Sequence, residues 1–373
     1  MNYGELLYAD SNFEEQGILD FISFDGVASV NGELDDNDWE AEIYAEDFAK
    51  YGIDIGYYLY FDGSEWGGVV EKIEHISSTD IVKLSGVTWR GLLIRKVVVP
   101  PSGKTHKEYD PTNNSGAIAV YDENSDFAVK NIMIDLVSVF GGLFVVDQNA
   151  ADGNRCIATP LKYRYITVFD ALIELLTHNY KDDGGNIGAM EMRMDVAYNS
   201  RTHKVILTPK DAIDNDSNGI SISDYIEFSG DYDMKYTATK ATARYNHVIA
   251  LGEGKGENRI VRHVWLLSNG KTTTNATAAQ NDGITAFNEK TMVYEYTSCE
   301  DENELVKNAR KKLKEHGAQN TIIIDFDPPD TDIPLGDIVS IKDRVIGFGD
   351  TRTITRKILR VTADGAVLQY AVE

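Results

Sequence analysis

Cysteine is nearly missing: Cys156 and Cys299 are the only two in 373 residues. They form no metal or redox spacing and no disulfide framework, so two isolated thiols fit a reducing compartment. Positive charge is missing from the start of the chain. No Lys or Arg precedes Lys50, while residues 1–49 hold fourteen carboxylates. The whole chain has 36 basic and 60 acidic residues, a net charge of −24, which leaves −10 for everything after residue 49. Such a field repels phosphate backbones and argues against specific nucleic-acid binding without a local basic patch. Long apolar runs are also absent. The stretch Ile132 to Val146 is broken by Asp135, Ser138 and Gly141-Gly142 and falls short of a membrane span. The opening MNYGELLYADSNFEEQG has no basic region and no apolar core, so it does not read as a signal peptide.

What is present is a folding sequence. Hydrophobic residues make up 42% and aromatics 10%, with 20 Tyr, which excludes a disordered acidic chain. The length allows two to three domains. Residues 1–100 read mainly as short β-branched and aromatic strands: Gly17–Phe24, Trp39–Tyr44, Tyr57–Phe61, Val69–Ile76 and Ile81–Leu84. Their spacing predicts a small N-terminal antiparallel barrel or sandwich, closed by Pro100-Pro101-Ser102-Gly103.

Residues 101–210 read as an inserted α+β domain. Helical periodicity runs through Asp126–Phe140, with a stop at Gly141-Gly142, and through Thr167–Asn179, where Thr167-x-x-Asp170 forms a capping pattern. A strand pair, Glu191–Tyr198 and His203–Pro209, follows around Asn199-Ser200-Arg201. Residues 211–320 return to strands at Tyr225–Phe228, Tyr245–Leu251 and Arg259–Leu267, then a helix over Asp301–His316 with Leu305, Val306, Ala309 and Leu313 on one face. Ser298 is its candidate cap, and acids lead while Lys311, Lys312 and Lys314 trail, as the helix dipole favours. Residues 321–373 supply Thr321–Phe326, Asp337–Ile341, Thr353–Val361 and Ala366–Val372 as the closing strands of a second barrel.

A weak internal repeat links the two ends. Asp54-Ile55-Gly56 followed by Tyr57–Phe61, Val69–Ile76 and Ile81–Leu84 parallels Leu335-Gly336-Asp337 followed by Ile338–Ile341, Thr353–Val361 and Ala366–Tyr370. Two unrelated antiparallel meanders would also look alike. The sharper reading is two related barrels in one chain, so that three copies would present six similar barrels on a three-fold body.

Motifs that would carry chemistry fail on their context. Ser102-Gly103-Lys104-Thr105 imitates the end of a phosphate loop, but Val98 stands where its first glycine belongs. Gly252-Glu253-Gly254-Lys255-Gly256 joins strand to strand and offers no helix N-terminus to a pyrophosphate. Asp214-Asn215-Asp216-Ser217-Asn218-Gly219 matches the first half of a calcium loop, yet Tyr225 replaces the twelfth-position Glu, and Asp224 and Glu227 miss the register. Asp35-Asp36-Asn37-Asp38 reads as a solvated turn. The histidines (His75, His106, His178, His203, His247, His263 and His316) are scattered without ligand spacing. No catalytic, cofactor-binding or metal residue is assigned and no cofactor is expected.

Several stretches together resemble the siphophage tail-hub family, the body of tail-associated and baseplate-hub proteins. They are Leu6–Phe13 with Gly17–Asp20, Leu84-Ser85-Gly86-Val87-Thr88-Trp89-Arg90-Gly91-Leu92-Leu93-Ile94-Arg95-Lys96, the hairpin Tyr245–Arg259, and Asp332–Val339 ending in Leu335-Gly336-Asp337-Ile338-Val339. The resemblance implies a β-rich α+β, baseplate-hub-like fold with two related small β-barrels and inserted α+β domains. It also implies a non-enzymatic homotrimer at the distal end of the tail tube, which adapts a six-fold tube to a three-fold tip. Its expected partners are copies of itself, a distal tail or tube protein, and a fibre or tip protein, with DNA passing through the channel. The expected location is the virion, with assembly in the host cytoplasm. Helix 301–316 and the basic run Lys342, Arg344, Arg352, Arg356, Lys357 and Arg360 are expected to face residues 1–49 of a neighbour. The alternatives are a cell-wall or polysaccharide hydrolase, a monomeric carbohydrate-binding β-protein, and the same hub in a contractile tail or tailocin.

Overall fold

The computed structural model describes all residues except 1–2, 4, 113–123, 182–186, 213–234, 240–242, 269, 317–320, 327–332, 344–347 and 373. The chain forms two compact units, one of residues 1–236 with 323–372, the other of residues 237–322.

The first unit is built on a nine-stranded sheet to which both stretches of the internal repeat contribute. Six of its strands run Gly365–Val372, Phe348–Thr362, Ser23–Ser29, Asp38–Tyr44, Ile81–Val87 and Lys72–Ile76, each antiparallel to the next, with the last at an edge. The long strand Phe348–Thr362 thus lies between its own hairpin partner and the N-terminal block, with Arg356 opposite Ser29 and Thr362 opposite Ser23. Period-two burial explains the pairing. Trp39, Ala41 and Ile43 are buried on one strand, and Val82 and Leu84 lie opposite Ile43 and Ala41 on its neighbour. Phe24 stacks parallel to Trp39 and meets Phe61 edge-on, which places an aromatic core under this sheet.

A second sheet of four strands runs Glu15–Leu19, Leu6–Ala9, Tyr58–Tyr60 and Gly67–Val69. The sequence reads Gly17–Phe24 and Val69–Ile76 as single strands, and each is two. The second breaks at Val70-Glu71, where Val70 bonds back to Tyr57 and Glu71 N–H donates to Ser85 O. The chain changes sheets at that point. Close approach there is enforced by glycine: a Cβ on Gly86 would overlap the Val69 carbonyl, and one on Gly68 the Val87 carbonyl.

The remainder of this unit packs helices Val129–Val137 and Val168–Leu176 against strands Phe144–Val146, Lys204–Asp211 and Met192–Asn199. The expected capping is present. Thr167 Oγ1 accepts from Asp170 N–H at 3.0 Å, and Gly141 ends the earlier segment with φ +62°. Met192–Asn199 pairs with Lys204–Asp211 from Met192↔Asp211 to Asn199↔Lys204, a hairpin turning through 200–203. Two short helices, Ala45–Tyr51 and Trp89–Ile94, interrupt a region read as mainly strands. The second is capped by Thr88, whose hydroxyl accepts from Gly91 N–H.

The second unit is a four-stranded sheet, Thr272–Thr273, Val261–Leu266, His247–Leu251 and Thr291–Glu295, with a parallel pair between the last two. Helix Glu302–Glu315 covers one face. Leu305, Ala309 and Leu313 are buried against Val248, Ala250 and Val264. Asp301 caps this helix through Asn303 N–H at 2.8 Å, a correction to the expectation for Ser298, which lies three residues further out. The carboxylate sits at the true Ncap and reaches the first free donors. The strand Tyr225–Phe228 expected from sequence lies outside the described residues.

Candidate functional site

The functional candidates from sequence resolve into structure. Gly103 has φ +76° in a turn where Lys104 N–H donates to Pro101 O. Gly254 and Gly256 take positive φ between Leu251 and Val261. The loop 214–219 lies outside the described residues. The turn at 35–38 is less solvated than expected, because Asn37 is fully buried. Its Oδ1 accepts from Ser29 N–H, and its Nδ2 donates to Asn31 O and Glu33 O. Both cysteines are buried thiols outside any disulfide. Among the described residues, no group of three or more His, Cys, Asp or Glu side chains is disposed to hold a metal ion.

The densest chemistry is instead a buried ionic junction in the first unit. Turn 61–66 carries Glu65, and its backbone is pinned to Tyr198 by Gly63 N–H donating to Tyr198 O and Tyr198 N–H to Ser64 O. Glu65 Oε1 lies 2.7 Å from Lys357 Nζ, and Oε2 lies 3.3 Å from Arg90 Nε. The cations are almost wholly enclosed, with side-chain exposures of 2% for Lys357 and 4% for Arg90. Arg90 Nη2 also donates to Met194 O at 2.6 Å. Burial alone would raise the Glu65 carboxyl, but Lys357 and Arg90 outweigh it and hold it below the usual carboxylate range. Glu65 is therefore a fixed anion joining a turn, helix Trp89–Ile94 and strand Phe348–Thr362.

A second cluster stands beside it. Arg193 Nε lies 2.9 Å from Asp337 Oδ1, and Nη1 lies 3.1 Å from Asp195 Oδ1, while Lys210 Nζ lies 2.8 Å from Asp195 Oδ2. This accounts for Leu335-Gly336-Asp337. Asp337 fixes Arg193 from the opposite end of the chain, and Gly336, at φ +94°, leaves room that a Cβ would take from the Arg193 Cβ at 2.9 Å. A cavity of about 360 Å³ lies between the clusters, lined by Glu65, Trp66, Arg90, Asp195, Lys210 and Lys357 among others. Its size and polar walls suit ordered water. Aromatic stacking continues the junction: Trp89 lies 4.6 Å from Tyr198 and 5.9 Å from Tyr58, which in turn stacks on Phe13 at 4.1 Å.

The second unit brings together two of the scattered histidines. His247 Nε2 lies 2.9 Å from His263 Nδ1, and Trp265 stacks on His247 at 4.7 Å. Glu289 accepts from Trp265 Nε1 and lies 3.3 Å from His247 Nδ1. Burial lowers the His247 imidazole, Glu289 opposes that, and His263 adds to it. Sequence spacing hides the pair because it depends on the register His247↔Trp265 and Ile249↔His263.

The described part of the basic run expected to face a neighbour is partnered within the chain. Arg356 pairs with Asp36 at 3.3 Å, Arg360 with Asp25 at 2.6 Å, and Lys357 with Glu65. Charge complementarity with residues 1–49 is real for Arg356 and Arg360, but strand pairing satisfies it internally. The side chains of Lys342, Arg344 and Arg352 lie outside those described.

No family model and no curated protein matches the chain. Solved structures do. A 43 kDa tail protein of prophage MuSo2 from Shewanella oneidensis aligns over 99% of this chain and 98% of its own, with a TM-score of 0.53 at 11% identity. A tail protein from Neisseria meningitidis MC58 aligns over 99% and 95%, with a TM-score of 0.49 at 12% identity. Prophage tail protein gp18 from Listeria monocytogenes EGD-e aligns over 99% and 94%, with a TM-score of 0.44 at 12% identity. The strand-rich α+β fold expected from the sequence resemblance is the fold of the chain, and the Shewanella prophage tail protein shares it.

Proposed function

We propose that this chain is a non-enzymatic structural component of a phage tail, a homotrimeric hub at the distal end of the tail tube. In that place it joins a tube protein to tip or fibre proteins and lets DNA pass without binding it. The observation that supports this reading most is the end-to-end match in fold with the Shewanella prophage tail protein. The buried junction agrees with it. Glu65 is an ionised carboxylate locked between two cations, a clamp that ties the 61–66 turn and helix Trp89–Ile94 to strand Phe348–Thr362 from the other end of the chain. Held ionised by its two cations, Glu65 itself is not poised as a general acid. The strongly acidic first 49 residues fit a surface that phosphate slides past.

Size-exclusion chromatography with light scattering tests the assembly. A trimer of 41.5 kDa chains has a mass of about 125 kDa and should show a three-fold ring by negative-stain microscopy. A monomer that persists at high micromolar concentration refutes the hub.

A further inference from the structure

The second unit contrasts with the rest of the chain in charge. Residues 237–322 hold twelve Lys and Arg against ten Asp and Glu, so the acidity of the protein lies elsewhere. The positive charge is gathered on helix Glu302–Glu315. Leu305, Ala309 and Leu313 turn inward, while Lys307, Arg310, Lys311 and Lys314 are exposed at spacings of three and four residues on the far side. The four cations span about 10 Å of helix at 1.5 Å per residue. Lys312, on the flank, is occupied by Glu315 at 2.7 Å. None of the four stripe cations forms an ion pair among the described residues.

Residues 1–49 offer the matching surface. Part of their charge is matched within the chain: Asp25 by Arg360, Asp36 by Arg356, Glu40 and Glu42 by Lys83, and Asp47 by Lys50. Glu5, Glu14, Glu15, Asp20 and Glu46 are exposed without an ion pair among the described residues, and the turn Glu33-Leu34-Asp35 joins them. Glu33 and Asp35 are exposed and form no ion pair among the described residues, and Leu34 beside them is 39% exposed. Asp38, just beyond, titrates above its ordinary range because of burial and then of Asp35, a sign that negative charge is under-compensated there.

We infer that the cationic stripe Lys307, Arg310, Lys311 and Lys314 of one copy docks on the acidic turn Glu33–Asp35 of a second copy of this chain. The inference rests on the hub reading. The two surfaces are different patches of one chain, so the contact is head-to-tail, and head-to-tail contacts close into a ring when the rotation allows. A nucleic acid is a poorer occupant. Four cations on about 10 Å of helix neutralise few phosphates, and a duplex running past them meets a chain of net charge −24. Exposed ion pairs add little affinity, but they steer encounter and set register. Apolar contact at Leu34 then supplies desolvation.

The test uses the full chain with Lys307, Arg310, Lys311 and Lys314 all changed to Glu, and a charge-swapped chain that also carries Glu33→Lys and Asp35→Lys. Assembly is followed by light scattering after dilution, in 50 mM and 1 M NaCl, with circular dichroism to confirm folding. The wild type should form trimers. The four-fold Glu variant should assemble at least roughly tenfold more slowly at low salt, as steered association predicts. That gap should close at 1 M salt, where the Debye length is about 3 Å. The charge-swapped chain should regain the wild-type rate. Unchanged assembly of the four-fold variant, or no rescue by the swap, overturns the docking and leaves the hub standing. A wild type that never trimerises removes the hub itself. Tight binding of a fluorescent 30-base-pair duplex to the wild type, lost in the four-fold variant, assigns the stripe to nucleic acid and overturns the proposal.

Discussion

Replacing Glu65 by Ala is the sharpest probe of the junction, because it removes one anion and strands two cations. Lys357 and Arg90 have side-chain exposures of 2% and 4%, so only water held in the adjoining cavity can take the place of the carboxylate. Removing one partner of a buried pair costs about 3–5 kcal/mol, chiefly by leaving charge uncompensated. Arg90 keeps its bond to Met194 O, which favours the lower half of that range. Urea unfolding followed by tryptophan fluorescence reads this unit directly, since Trp39, Trp66 and Trp89 all lie in it. The effect also has a pH signature. The folded carboxyl is held below its ordinary value, so its stabilisation is complete above about pH 4.3, the unfolded value, and fades as pH falls through the folded value. Glu65→Gln lacks that titration, so its deficit against wild type should shrink from pH 7 towards pH 3. Pairing Glu65→Leu with Lys357→Met should recover part of the loss, because an apolar pair leaves fewer stranded charges. A Glu65→Ala protein within about 1 kcal/mol of wild type, or a Glu65→Gln deficit independent of pH, refutes the clamp.

Three further outcomes follow from other parts of the structure. Gly86→Ala forces a Cβ into the Val69 carbonyl where the chain changes sheets, and should cost at least about 1–3 kcal/mol in the same urea assay. Thr167→Ala removes the helix cap and should cost about 0.5–2 kcal/mol, while Thr167→Ser should stay near wild type because the accepting hydroxyl remains. His247 titrates below its ordinary 6.5, so the second unit should be most stable above that pH and weaken as pH falls through the lowered folded value. Trp265, stacked on His247, reports the change by fluorescence, and a His247→Asn protein should show a flatter profile.

Local signals were legible wherever one residue or one period decides the outcome. Thr167 and Gly141 mark helix ends through backbone donors and a positive φ, which neighbours along the chain determine. The face Leu305, Ala309 and Leu313 follows from a 3.6-residue period, and the hairpin expected around Asn199-Ser200-Arg201 is present with its turn at 200–203. Ser298 was misjudged because cap geometry depends on where the helix axis begins, and a shift of three residues makes Asp301 the first useful acceptor. The strand breaks at 20–22 and 70–71 were missed for another reason. A run of strand-forming residues looks the same whether it serves one sheet or two.

The sequence by itself determined that this is a folded, strand-rich, strongly acidic chain whose charge is concentrated in its first 49 residues, with a basic helix near residue 310. Composition and short periods carry that information without reference to distant residues. Only the tertiary structure decided which charges are spent inside the molecule. Arg356, Lys357 and Arg360 look free along the chain, yet strand register brings Asp36, Glu65 and Asp25 to them across separations of about three hundred residues. Lys307, Arg310, Lys311 and Lys314 look no different in sequence, yet they remain exposed because helix packing turns them outward. Pairing across such distances depends on which strand edges meet, a choice made by packing the whole sheet rather than by any local run of residues.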